Sequence, residues 1–241
     1  MKKLLVIMLV ALCTFALFAG GASEAKPAAT EDSKYGGTLV VSTTTDVQHA
    51  FTTKVRQTVE RAQLLYVYEG LTKINEDGTW SPWLAESLEG DRDALTYTIK
   101  LRKGVKYSDG SDMTAETVAW CMNLYKEISQ SSGTYYGSVD SINIVDDYTI
   151  LVKMKQWDAM FPFNMALQAG YQYSKKTFDD HNGDIDWCDS HPVGTGPFIL
   201  QEWKKDDVKI YVRNENYWGG RPYLDKVEVR VIPTTSQLRR L

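Results

Sequence analysis

Alternation of apolar and polar positions marks the clearest strands of this chain. Lys226-Val227-Glu228-Val229-Arg230-Val231 puts valine at every second position, the pattern of a strand covered on one face. Phe198-Ile199-Leu200 and Val208-Lys209-Ile210-Tyr211-Val212 read as two more strands around the polar turn Lys204-Lys205-Asp206-Asp207. Ser141-Ile142-Asn143-Ile144-Val145 and Tyr148-Thr149-Ile150-Leu151-Val152-Lys153-Met154 flank Asp146-Asp147, which predicts a hairpin. Gly37-Thr38-Leu39-Val40-Val41-Ser42 is a strand after a glycine pair. Helical spacing occurs twice. Val55, Val59, Ala62, Leu65 and Tyr66 give residues 55–68 a helical face. Thr114 caps a second helix over 114–129, with Glu116 in its first turn and Val118, Cys121, Leu124, Tyr125 and Ile128 on one side. That apolar face is core rather than a cofactor box.

Turn chemistry separates these elements. In Gly194-Thr195-Gly196-Pro197 two glycines allow a backbone excursion with positive φ, and the proline then fixes φ as the chain enters a strand. The segment is not a phosphate loop, because no Lys-Ser/Thr follows and no helix opens after it. Glu76-Asp77-Gly78-Thr79 is a turn, and Asn216-Tyr217-Trp218-Gly219-Gly220 is a turn carrying two large rings. Alone, these patterns describe a β-rich scaffold.

The N-terminus changes the picture by stating a compartment. Met1-Lys2-Lys3 is a basic head, residues 4–19 carry no charge, and Gly20-Gly21-Ala22 supplies small residues before Ser23-Glu24. This predicts a secretory signal peptide over residues 1–22, since the apolar run is short of the ~20 residues a spanning helix needs. Residues 23–35 are small and polar and read as a disordered tether. Removal of Lys2 and Lys3 lowers the basic count from 27 to 25 against 31 acidic residues, a mature charge of about −6. No basic stripe points to nucleic acid, and the acidic balance suits a diffusing exported monomer.

Chemistry-bearing clusters are sparse. The mature chain keeps Cys121 and Cys188, which pair or remain free thiols. With His181 and His191 they lack any zinc-type spacing, so no cofactor or metal is expected. The carboxylate pairs Asp146/Asp147, Asp179/Asp180 and Asp206/Asp207 sit in predicted turns. No nucleophile elbow or His-Glu-x-x-His helix occurs, and His49, His181 and His191 lack a triad context, so the sequence does not read as an enzyme.

A series of landmarks in fixed order carries a resemblance. Tyr68-Glu69-Gly70-Leu71 comes first, then Trp83-Leu84-Ala85-Glu86-Ser87. Residues 95–110 follow, a strand, a basic turn and the corner Tyr107-Ser108-Asp109-Gly110, and then Met113-Thr114-Ala115-Glu116-Thr117-Val118. Pro192-Val193-Gly194-Thr195-Gly196-Pro197-Phe198, Arg213-Asn214-Glu215-Asn216-Tyr217-Trp218-Gly219-Gly220 and Pro222-Tyr223-Leu224-Asp225 through Pro233 complete it. Over residues 36–241 the chain resembles the family 5 extracellular solute-binding proteins. These are the oligopeptide, dipeptide, nickel and oligosaccharide receptors of bacterial ABC importers.

The resemblance implies an α/β fold of the type II periplasmic-binding-protein kind with an extra inserted domain. Residues 36–75 and 192–241 would form a discontinuous first lobe, 76–191 the inserted domain, and a second lobe would come from later chain that this sequence lacks. It also implies an extracytoplasmic receptor that captures an oligopeptide or oligosaccharide and meets ABC permease subunits at the membrane. A sensor or interaction module using the same fold is the alternative. Lipoprotein members carry a cysteine after the small residues of the cleavage site; here that place holds Gly21, so an unlipidated product is expected. Two stretches fall on the near side of the implied cleft, residues 48–56 and Gly133-Thr134-Tyr135-Tyr136-Gly137, in the loop after the Thr114 helix. Arg56 would meet a carboxylate there or be a solvated helix residue. Tyr135 and Tyr136 would offer a ring face and a hydroxyl, or pack as ordinary surface.

Overall fold

The computed structural model describes residues 34–233. The signal segment, nearly all of the tether and the last residues of the implied first lobe lie outside the described residues.

Three sheets carry the β-structure described. The first has the order β1-β10-β9-β8, formed by β1 (Thr38–Thr43), β8 (Phe198–Lys204), β9 (Val208–Arg213) and β10 (Lys226–Val231). β1 and β10 run parallel with Leu39 opposite Val227 and Val41 opposite Val229; the other pairs are antiparallel. β2 (Thr72–Ile74) and β3 (Trp80–Pro82) form a short ribbon. The third sheet is antiparallel in the order β4-β5-β7-β6, from β4 (Ala85–Asp91), β5 (Thr96–Leu101), β6 (Val139–Asp146) and β7 (Thr149–Met154). The predicted hairpin turns at Asp146-Asp147, where Asp146 Oδ1 accepts from the Tyr148 N–H at 2.8 Å. Val227 and Val229 are buried while Lys226 and Glu228 are half-exposed, as the alternation demands.

Six helices are described: α1 (Thr58–Leu64), α2 (Ala115–Ile128), α3 (Ser132–Tyr136), α4 (Phe161–Asn164), α5 (Lys175–Asp180) and α6 (Ile185–Ser190). α2 starts where its cap predicts. Thr114 and Thr117 exchange reciprocal side-chain to backbone bonds, so two N–H groups that the helix cannot satisfy itself find acceptors. Val118, Cys121, Met122 and Tyr125 face inward, whereas Ile128 ends up exposed as the helix terminates.

Four expectations need correction. Asp179 and Asp180 end helix α5 and do not sit in a turn. α1 is half the length of its periodic segment, and its buried side holds Glu60, Gln63 and Leu64, while Ala62 and Leu65 are exposed. The helix turns a carboxylate inward because backbone N–H groups are waiting for it, and the apolar residues face a groove. The 133–137 segment is a helix, α3, rather than a loop. The glycines of Gly194-Thr195-Gly196 have no positive φ. They are required for close approach instead: a Cβ at Gly194 would sit 2.3 Å from the Val67 carbonyl oxygen, and one at Gly196 would sit 2.6 Å from it.

Two apolar clusters fill the interior. One lies on the third sheet and includes Ile99, Leu101, Val118, Met122, Ile150 and Val152. The other lies on the first sheet and includes Phe51, Leu64, Tyr68, Tyr173, Tyr211 and Val229. α2 contributes to both, with Val118 and Met122 in one and Cys121 in the other. Cys121 and Cys188 are unpaired, buried thiols of the second cluster; burial pushes Cys121 up to about 11, which makes it a packing residue. Two buried carboxylates fix the frame. Glu69 accepts at Oε1 from Trp83 Nε1 (2.7 Å) and the Tyr217 hydroxyl (2.6 Å), and at Oε2 from Trp218 Nε1 (2.7 Å) and Thr195 Oγ1 (3.0 Å). Asp46 pairs with buried Lys209 and accepts from Trp203 Nε1 and the Asp206 N–H. Among the described residues no helix is long and apolar enough to cross a membrane.

Candidate ligand-binding site

The chain leaves β1 into an irregular segment that ends at α1, and two carboxylates give it shape. Glu60 accepts backbone N–H groups from Gln48 and His49 at Oε1 and from Arg56 and Gln57 at Oε2. Asp189 of α6 accepts the N–H groups of Ala50 and Phe51 at Oδ1. Its Oδ2 meets His49 Nδ1 at 2.7 Å and Lys54 Nζ at 3.3 Å, and Lys54 also reaches Asp186 at 2.7 Å. Burial pulls Lys54 down, but its bonds and charge contacts with Asp186 and Asp189 outweigh it and hold the ammonium above its ordinary value. Arg56 stands exposed at the end of this segment, immediately before α1.

The two tyrosines of α3 part company. Tyr135 is half-buried with its ring edge against Tyr125, and its hydroxyl accepts from Gln168 Nε2 at 2.9 Å. Gln168 Oε1 in turn accepts from Arg61 Nη1 at 3.3 Å, and Arg61 Nη2 donates to Thr58 Oγ1 at 3.0 Å. A polar relay therefore runs from α3 to α1. Tyr136 is 1 % exposed and donates its hydroxyl to the Ala169 carbonyl at 2.8 Å, packed against Tyr125 and Phe161. It serves the core in this structure. The helix accounts for the split, because successive residues point about 100° apart. Arg56 shares no hydrogen bond with either tyrosine among the described residues.

Beside the relay lies a groove of about 580 Å³, in the size range of small-molecule sites. Arg61 and Ala62 of α1 and Leu65 at its C-cap line one side, with Lys73 and Ile74 of β2 and Leu167 among the rest. Its walls are chiefly apolar, with the cations Arg61 and Lys73 and the carboxylate of Glu69 also lining it. Lys73 also sits 4.1 Å over the Trp83 ring. Among the described residues no group of three or more His, Cys, Asp or Glu side chains is placed to hold a metal ion. Arg61, Gln168, Glu60 and Asp189 escape sequence reasoning. Only Glu60 leaves a trace there, an acidic residue close to an apolar face; Gln168 and Asp189 leave none.

Comparison with known proteins places this architecture. The family model for bacterial extracellular solute-binding proteins, family 5 Middle, matches residues 79–241. The oligopeptide-binding protein AppA of Bacillus subtilis (strain 168) is 31% identical over 254 residues, covering 98% of this chain and 45% of that protein. The nickel-binding periplasmic protein of Escherichia coli (strain K12) is 34% identical over 177 residues, covering 69% of this chain and 32% of that protein. Among solved structures, Bacillus subtilis AppA in complex with a nonapeptide superposes with a TM-score of 0.77 at 29% identity, covering 86% of this chain and 42% of that one. DppA from Helicobacter pylori in complex with the peptide STSA gives 0.76 at 29% identity, covering 86% and 44%. The chain thus spans less than half the length of the relatives it matches, with the mixed α/β fold of type II periplasmic binding proteins. Since the family model covers more than half of the sequence and the described fold agrees, the chain belongs to the family 5 bacterial extracellular solute-binding proteins.

Proposed function

We propose that this chain supplies one wall of an extracytoplasmic receptor that captures an oligopeptide or oligosaccharide for an ABC importer. The observation that carries the reading is the Arg61-Gln168-Tyr135 relay. It joins α1 to α3 beside a groove whose walls are mainly apolar, the combination a carbonyl-rich polymer requires. Relatives described as binding oligopeptides, nickel and glutathione favour solute capture and leave the solute open. Arg56, exposed just before α1, serves as a further contact for a carboxylate, and Tyr135 offers its ring.

Residues 36–75 and 192–241 form one lobe in this reading and 76–191 an inserted domain; the parallel pairing of β1 with β10 supports the first half of that division. The packing of Cys121, Tyr171, Tyr173 and Cys188 into the core of the first sheet binds the two tightly together. Residues 1–22 act as a signal peptide. N-terminal sequencing of the exported product decides this, a start near Ser23 being expected; retention of the segment, or a product lipidated at Cys13, would refute it. For the solute, mass spectrometry of small molecules carried by the purified receptor is the direct test. Recovered peptides or oligosaccharides support the reading, and a tightly held compound of another class sinks it.

A further inference from the structure

We propose that Glu60 and Asp189 are positioning residues for solute recognition, holding the loop of residues 48–57 ready-formed from two directions. The proposal rests on the reading of this wall as a solute site. Glu60 is 1 % exposed, and its two oxygens receive four backbone N–H groups: Gln48 and His49 at 3.2 Å, Arg56 and Gln57 at 2.9 Å. Capping α1 requires only the bond to Gln57, the N-cap residue. The other three bonds go to the loop and tie both of its ends to one carboxylate. A buried carboxylate is tolerated where donors converge on it, so the loop conformation and the burial of Glu60 depend on each other.

Asp189 secures the middle. It comes from α6, 140 positions from His49 in sequence, and takes the Ala50 and Phe51 N–H groups at 2.9 Å each. Phe51 is fully buried, edge-on to Tyr173 at 4.9 Å and stacked on Phe178 at 6.1 Å, so the loop is fixed by packing as well. A loop held at its ends and its middle before solute arrives has little freedom left to lose, which favours binding without any contact from either carboxylate. Neither the loop nor α6 lines the groove, whose lining starts at Thr58, so both carboxylates act on recognition through the loop that leads into α1.

Amide hydrogen exchange resolved by residue tests this. In Glu60→Gln the amides of Gln48, His49, Arg56 and Gln57 should exchange about tenfold faster, and in Asp189→Asn those of Ala50 and Phe51 likewise. Protection at Val118, Ile150 and Val152 should be unchanged. Faster exchange shared by those core amides, or loop amides identical to wild type, overturns the positioning role. If Asp189→Asn does not fold, Lys54→Ala removes one partner of Asp189 and should move Ala50 and Phe51 in the same direction. In a second arm a defined tripeptide mixture is titrated while the Arg56 and Gln57 amide resonances are followed. Both variants should need about tenfold more peptide than wild type. Variants that match wild type overturn the proposal. Absence of any shift in wild type overturns the peptide reading of the site instead, and the exchange data then decide whether the carboxylates hold the loop.

Discussion

Single residues in this chain divide by whether their polar atoms are committed. Both tyrosines of α3 have committed hydroxyls, but only Tyr135 has a half-exposed ring and a partner that leads to the groove. Tyr136→Phe should cost about 1–2 kcal/mol by urea denaturation, because the Ala169 carbonyl is left buried without its donor. Tyr135→Phe should leave stability within about 0.5 kcal/mol and act on solute affinity instead; equal losses of stability from the two would contradict this division. Glu69 is committed four times over. Glu69→Ala should destabilise by about 3 kcal/mol or more, since Trp83, Trp218, Tyr217 and Thr195 all lose their acceptor. Burial raises its carboxyl above the ordinary value despite those bonds. The folded state therefore holds this proton more tightly than the unfolded chain, and its contribution to stability declines as pH rises from the ordinary to the raised value. Asp109 has the opposite sign: burial is outweighed by bonds from Ser111, Ser174 and Thr177, the carboxyl is lowered, and stability is lost as pH falls through its folded value. Denaturation curves from pH 3 to 8 should show Glu69→Gln and Asp109→Asn changing the pH slope in opposite directions.

Elements were legible in the sequence where their cause is local. Alternation marks β10, a polar turn between apolar runs marks β8 with β9 and β6 with β7, and a threonine cap marks the start of α2. α1 misleads because periodicity cannot tell an apolar face turned to a groove from one turned to the core, and Ala62 and Leu65 lie on the former. α4, α5 and α6 span four to six residues each, too short for any period to show. For the candidate site, the sequence offered Arg56, Tyr135 and Tyr136 through resemblance, of which Tyr136 is buried in the core, while the Glu60 and Asp189 contacts join residues whose proximity no local pattern encodes. The link between Gly194 and the turn at Val67 is of the same kind. Gly194→Ala should cost about 1–3 kcal/mol through displacement of the Val67 carbonyl, measurable as a lowered thermal midpoint; an unchanged midpoint would mean that the turn yields freely.

At the scale of the whole molecule, the groove is open to solvent. A solute lying on it keeps much of its surface in water. Isothermal titration of the 241-residue chain with peptide or oligosaccharide pools should therefore give dissociation constants weaker than micromolar. A tighter value from a monomer would show that one wall suffices. The family assignment rests on features of this same scale, the order of motifs along the chain and the sheets they build, which is why it was readable before any contact was known. The pairing of β1 with β10 has one more consequence, for time rather than for energy. The bond from Gly37 to Asp225 spans 188 positions, so the first described strand waits for nearly two hundred further residues before its partner exists. Such a chain folds slowly, and under the export proposed above a slowly folding precursor stays extended long enough to be passed through a secretion channel. Pulse-labelled refolding should find the β1 amides among the last to gain protection, after the locally closed hairpin of β6 and β7.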